Sequence, residues 1–402
     1  MMADIASKRM DRADPWQKLA QECTQGAAYD SNERQPHSGS KCLPGTRIEL
    51  LRTIKAATED GRRKILWISG EPGSGKSTVA HTVADSLREE GRLAGTFFFS
   101  RMNGRRSTFD FVLLTFAYQL GLQHHRAREV ITKAIADDPA LLAPEKSRLD
   151  QLDRLVIQPL RILASVWGRT GHGMSLVMDA LDEGVPTGTG NHHFRASISS
   201  LALKGVPTGI ETLWPFVSLL ARLVRDTTLP ISNIVITSRP STEAVMRSME
   251  FADIIQPIHI EDFNSREDVT LFLRNAFEEV YRTQNLSVSC PRPWPSDEDI
   301  LILSDRANGR FGVAATIVRV ISQDQPDFRL PLVCRMLQRS AKAAQGDMSK
   351  LYDSLTDYID TMSEPLICRY PFINFLLIAF GMVSFAMYQS RNDSLEDVSR
   401  DL

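Results

Sequence analysis

From Arg47 to Pro257, short apolar runs alternate with stretches whose apolar residues recur at three- and four-residue spacing. The runs at 65–68, 95–100, 175–179 and 234–236 have the β-branched and aromatic character of buried strands. Between and beside them, 47–57, 78–90, 109–120 and 149–166 read as helices with one apolar face. Strands that alternate with helices predict an α/β fold, a doubly wound parallel sheet that binds its ligand at the carboxyl ends of its strands. After Pro257 the pattern becomes helical, over 265–281, 297–308 and 313–322, with a proline-bearing linker at 285–295. The expected organisation is a polar lead over 1–42 with one short helix at 16–22, a core over 43–256, a helical subdomain over 257–345 and a helical tail over 346–402.

Three motifs fall at strand ends. Gly70 to Ser77 read G-E-P-G-S-G-K-S, a full match to the phosphate-binding loop G-x-x-x-x-G-K-[ST], set between a strand and a helix as that chemistry requires. Gly70, Gly73 and Gly75 permit positive φ and close backbone approach, so successive N–H groups can point at phosphate oxygens. The binding set is completed by Ser74, by Lys76 facing the β- and γ-phosphates, by Ser77 as a Mg²⁺ ligand and by Thr78 in the first helical turn, where the helix dipole favours an anion. The apolar run at 175–179 ends in Asp179, and Asp182 and Glu183 follow at once. Asp179 suits the metal, and Asp182 or Glu183 suits the polarising of an attacking water. The third run ends in Thr237-Ser238-Arg239-Pro240. Thr237 or Arg239 would sense the γ-phosphate there, or Arg239 would pair with an acid near Asp179.

Further stretches extend the pattern: Ala27-Ala28-Tyr29-Asp30-Ser31 and Lys41-Cys42-Leu43-Pro44-Gly45-Thr46-Arg47 ahead of the loop, and Phe97-Phe98-Phe99-Ser100-Arg101 after it. Together with the three motifs, and in this order, they resemble the NACHT branch of the STAND P-loop NTPases, specifically the fungal group described as nephrocystin-3-like N-terminal domains. The likeness runs from about Ala27 to about Leu337. It implies a cytoplasmic nucleotide-binding signalling switch that takes ATP or GTP with Mg²⁺ and hydrolyses it slowly. It also implies roles for Thr46 and Arg47 on the base or ribose side, protein signalling partners or self-association, and a winged-helix region beginning near Phe380 that the chain carries only in part. The chain departs from that pattern at Gly184, where the family usually has a cysteine or similar residue. It departs again at Gly309-Arg310-Phe311-Gly312-Val313-Ala314, where the family often reads G-L-F-I-Y-A; this bears on how the helical subdomain is positioned. Two rival readings share the loop: a small-molecule or nucleotide kinase, and a partial family member that binds nucleotide without turnover.

Composition narrows the partners. With 402 residues, 43% hydrophobic and 24% charged, the chain can bury one large core and a helical appendage. A formal charge of −2 gives no basic footprint for nucleic acid, and Arg105, Arg106, His124, His125, Arg126 and Arg128 read as solvated charges. Five scattered cysteines without a C-x-x-C pair argue against a disulfide framework or a zinc site, and the opening residues lack the apolar core of a signal peptide. Residues 370–390 hold no charge and are long enough to cross a bilayer as a helix, but Pro371, Asn374, Gly381 and Gln389 favour a soluble helix over a membrane span. Between the second and third motifs the chain is longer than the family requires. Gly184-Val185-Pro186-Thr187-Gly188 recurs as Gly205-Val206-Pro207-Thr208-Gly209, which marks 184–210 as an inserted surface loop, a local duplication or a retained intron. Adjacent His192 and His193 have no third ligand near them for a metal.

Overall fold

Every strand places alternate residues on opposite sides of one parallel sheet, and both sides are covered. The computed structural model describes residues 14–31, 41–167, 173–184, 210–242, 250–286, 292–323 and 325–343. The inserted stretch between Gly184 and Ile210, with His192 and His193, and the tail from 344 onward lie outside the described residues. The strands are β1 (Lys64–Ser69), β2 (Leu93–Phe98), β3 (Met174–Asp179), β4 (Ile231–Ser238) and β5 (Ile255–His259), in the order β2-β3-β4-β1-β5. All four pairings are parallel. Ile65, Trp67, Phe97, Leu176, Met178, Ile234 and Ile236 face one cluster, while Leu66, Ile68, Phe98, Val177 and Val235 face the other. A period of two with apolar residues on both faces is the signature of a buried parallel strand.

Helices α1 (Pro15–Glu22), α2 (Ile48–Glu59), α3 (Lys76–Glu89), α4 (Val112–Gln123) and α5 (His125–Asp137) come next in chain order. A continuous helical run of Arg148–Gln151, the π-helical Leu152–Ile157 and Gln158–Trp167 forms α6, and α7 spans Ile210–Arg225. Helices α2 and α3 cover the Leu66 face, and α1, α4, α5, α6 and α7 cover the Trp67 face. Beyond the sheet stand α8 (Arg266–Thr283), α9 (Asp297–Ala307) and α10 (Phe311–Ile321). The α9 N-terminus has a capping box, Ser296 with Asp299, and its C-terminus stops at Asn308 in the left-handed region, φ 46°. The chain divides into two units, Met1–Asp324 and Gln325–Leu402; α11 (Pro326–Ala343) is the described helix of the second. Among the described residues no helix is long and apolar enough to cross a membrane.

Three elements differ from the sequence reading. The sequence reading has no strand at 255–259: Pro257 sits exposed inside β5, an edge strand, where a missing N–H costs no ladder bond, and the helices follow from Arg266. Of the charges read as solvated, His125, Arg126 and Arg128 are exposed at the start of α5, but Arg106 is buried and its Nε donates to Phe98 O at 3.2 Å. The polar lead is in part core. Asp14 caps α1, Trp16 stacks on Tyr118 at 4.9 Å beneath the Arg128 guanidinium, and a Cβ placed on Gly121 would lie 2.4 Å from the Trp16 ring.

Candidate functional site

Parallel strands end together, so β1, β3 and β4 bring the three motifs to one edge. β4 lies between β1 and β3, which sets the first two motifs one strand apart. Trp67 Nε1 donates to Ser238 Oγ at 2.6 Å and ties β1 to β4 just below that edge.

The phosphate loop turns on Gly73 (φ 80°) and Gly75 (φ 92°), and Gly75 is the N-cap of α3. Left-handed backbone at both glycines lets neighbouring N–H groups converge, the arrangement that anions bind. Ser77 is exposed in the first turn and Thr78 is half-buried. Lys76 folds back on the loop, its Nζ donating to Gly70 O at 2.5 Å and Glu71 O at 2.8 Å. Burial pushes its pKa down, against the nearby charges of Asp182, Asp179 and Glu261.

Asp179 ends β3 almost fully buried, and its Oδ1 accepts from Thr237 Oγ1 at 2.6 Å. The same hydroxyl accepts from Ala180 N–H at 2.9 Å. Ala180 has φ 56°, and the chain turns there into Leu181–Glu183. Asp182 and Arg239 are joined twice: the Arg239 N–H donates to Oδ1 at 3.0 Å, and Nε lies 3.2 Å from Oδ2. Of the two roles open to Arg239, this geometry is the pairing with an acid. Glu183 Oε2 accepts the Arg101 N–H at 3.0 Å, and its Oε1 lies 3.8 Å from Arg239 Nη2. The two acids are therefore placed differently. Asp182 is held against Arg239 with only 6% of its side chain exposed, and Glu183 is 25% exposed beside it.

Thr46 and Arg47 sit behind the loop. Thr46 Oγ1 donates to Leu43 O at 2.7 Å within a turn. Arg47, 4% exposed, donates from Nη2 to Ser74 O at 2.7 Å, and burial lowers its pKa against the opposing charge of Asp268. Four participants escaped the sequence reading: Glu261, whose Oε1 accepts the Glu71 N–H at 2.7 Å; Arg101; Asp268, which accepts the Arg47 N–H at 2.8 Å; and Gly312, whose N–H donates to Gly73 O at 2.8 Å. Arg101 carried a signal, its place at the end of a predicted strand, and Gly312 another, its place in the 309–314 stretch that departs from the family pattern. The oxygen donors Ser77 and Asp179 fit Mg²⁺, which takes one or two protein ligands and completes its shell with water and substrate phosphates. Among the described residues no group of three or more His, Cys, Asp or Glu could hold a metal ion.

The family described as nephrocystin 3, N-terminal, matches this chain over residues 46–204. No curated protein matches. Among solved structures, the ORC2 protein of Aeropyrum pernix in its ADP form is similar at 13% identity, covering 88% of this chain and 89% of that one, with a TM-score of 0.37. A Walker-type ATPase of Pyrococcus abyssi is similar at 15% identity over 82% and 89%, TM-score 0.37, and PCH-2 of C. elegans at 11% over 69% and 62%, TM-score 0.33. The fold assignment rests on the parallel sheet and the loop between β1 and α3, which give the chain a P-loop NTPase-like α/β fold.

Proposed function

We infer that the chain is a nucleotide-binding switch of the NACHT/STAND type, which binds ATP or GTP with Mg²⁺ and hydrolyses it slowly. The observation that supports this most directly is the meeting, at one sheet edge, of the glycine loop on β1, Asp179 on β3 and Thr237 with Arg239 on β4. On this reading the N–H groups from Gly73 to Thr78 bind phosphate oxygens. Lys76 exchanges its bonds to Gly70 O and Glu71 O for the β- and γ-oxygens. Ser77 and Asp179 hold Mg²⁺, which when bound neutralises phosphate charge. Glu183 orients the water, and Arg239 moves from Asp182 to the γ-phosphate. The resemblance adds a cytoplasmic role with protein partners or self-association, and the formal charge of −2 offers no basic footprint for nucleic acid.

A second reading, nucleotide as a structural ligand without turnover, is favoured by the commitment of Asp182 to Arg239. One measurement tests the binding that both readings share, and a second separates them. Titration with fluorescent ATP and GTP is expected to show binding to the parent and at least about tenfold weaker binding to Lys76→Ala. Equal affinity in the two proteins would remove the loop from the site. Phosphate release by the parent above the Lys76→Ala level supports the switch, and release at that level supports the structural ligand.

A further inference from the structure

Asp182, Glu183, Arg101 and Arg239 form a closed ring of two acids and two arginines, in which each carboxylate is approached by both arginines. Arg239 gives Asp182 its backbone N–H at 3.0 Å on Oδ1 and its Nε at 3.2 Å on Oδ2. Arg101 Nη2 lies 3.5 Å from Oδ2, the same oxygen that faces Arg239 Nε. Glu183 takes the Arg101 N–H at 3.0 Å on Oε2, and Arg239 Nη2 is 3.8 Å from its Oε1. The acids lie in the turn after β3, Arg239 follows β4 and Arg101 follows β2, so the two cations reach Asp182 from strands on either side of β3.

The Asp182 side chain is nearly buried, and a buried carboxylate is costly to leave without a cation. On the reading above, the Arg239 guanidinium leaves Asp182 for the γ-phosphate. Its backbone N–H need not follow, so Oδ1 keeps its bond, and the oxygen stripped of a guanidinium is Oδ2, the one Arg101 already approaches. Lys76, whose charge also acts on Asp182, is committed to the β- and γ-oxygens in that state. Arg101 is free to respond, because its side chain is 53% exposed and can close on the carboxylate without displacing packed neighbours. Its backbone is fixed instead. Ser100 N–H donates to Arg106 O at 3.0 Å, Arg106 Nε to Phe98 O at 3.2 Å, and Arg105 Nη1 to Gln21 O of α1 at 2.7 Å, which ties the loop at both ends.

We propose that Arg101 is a positioning residue, a second counter-ion that takes over Asp182 when Arg239 turns to a γ-phosphate, and that it thereby sets how strongly the site prefers triphosphate to diphosphate. This rests on the nucleotide-binding reading above. A diphosphate gives Arg239 nothing to leave for, so the Arg101 side chain bears on triphosphate binding alone.

The test is Arg101→Gln in the full chain, which removes the guanidinium and spares the backbone N–H that holds Glu183. Affinities are read with fluorescent ADP and GDP and with fluorescent non-hydrolysable ATP and GTP analogues, in Mg²⁺. Diphosphate affinity is expected to stay at the parental value, which also reports a folded variant, while the preference for triphosphate falls about tenfold, a common size for coupling between neighbouring charges. Arg101→Lys returns a cation where a single nitrogen makes the contact, and is expected to restore most of the preference. Neutralising Asp182 removes the charge that needs a partner, so Arg101→Gln combined with Asp182→Asn is expected to bind triphosphate as Asp182→Asn does alone. An Arg101 that merely supports the fold would lower both affinities together and lower them equally in the Asp182→Asn background, and either result overturns the proposal. A parent without a triphosphate preference, or one whose preference survives in Arg101→Gln, overturns it and leaves nucleotide binding standing. A parent that binds no nucleotide overturns the functional reading, and the proposal with it.

Discussion

Thr237→Val isolates a small group with two duties. The threonine is fully buried at the end of β4, donates to the Asp179 carboxylate at 2.6 Å and accepts the Ala180 N–H at 2.9 Å. Valine has nearly the same shape and keeps the β-branch that suits the strand, so it removes both hydrogen bonds with little change in packing. A bond to a charged acceptor contributes about 1.5–3 kcal/mol, and the partly buried Ala180 N–H adds a smaller penalty when left alone. Exchanging hydroxyl for methyl returns about 0.8 kcal/mol of apolar burial. The net expectation is a loss of about 2 kcal/mol, read as a lower urea midpoint at unchanged slope. The loss of Asp179's tether is also expected to raise the Mg²⁺ concentration needed for half-maximal turnover by severalfold, while Thr237→Ser, which retains the hydroxyl, holds both values near the parent. Parental midpoint and parental Mg²⁺ requirement in Thr237→Val would refute the role given to this hydroxyl.

The unequal placement of the two acids predicts unequal variants. Glu183→Gln is expected to lower phosphate release by about a hundredfold, at the low end for loss of a base, with nucleotide affinity kept; full release there and loss only in Asp182→Asn would move the water-orienting role to Asp182. A second expectation concerns pH. Burial pushes the Cys23 thiol from its ordinary 9.0 up to about 12, so its contribution to stability is complete below 9.0 and is lost as pH rises toward that upper value. Urea midpoints should fall over this range more in the parent than in Cys23→Ala, and parallel pH profiles would contradict it.

The strands and the loop were legible because their causes are local. A period of two with apolar residues on both faces needs no partner to be recognised, and G-E-P-G-S-G-K-S has its own backbone chemistry. What was hidden depends on residues far apart in the chain. The sequence left Arg239 two roles, and it is the adjacency of β3 and β4 that sets it against Asp182. The 309–314 stretch stood out in the sequence, but the closeness of Gly312 to Gly73 follows from how α10 seats. Pro257 hid β5 because proline usually argues against a strand and is tolerated here only at the sheet's edge. Glu261, in the turn directly after that strand, was lost with it.

The seating of α1 bears on how this protein can be taken apart. The family match opens at residue 46, yet Trp16 fills the space over Gly121, Thr24 N–H is bound by Thr115 Oγ1 at 3.1 Å, and Tyr29 N–H by Thr96 Oγ1 at 3.0 Å. A fragment trimmed to the recognisable stretch would keep every phosphate-binding residue and still expose an apolar trough along α4, together with two hydroxyls that have lost their amides. Such a surface invites aggregation. The indivisible piece is thus set by an aromatic ring that no motif contains, and it reaches upstream at least to Asp14.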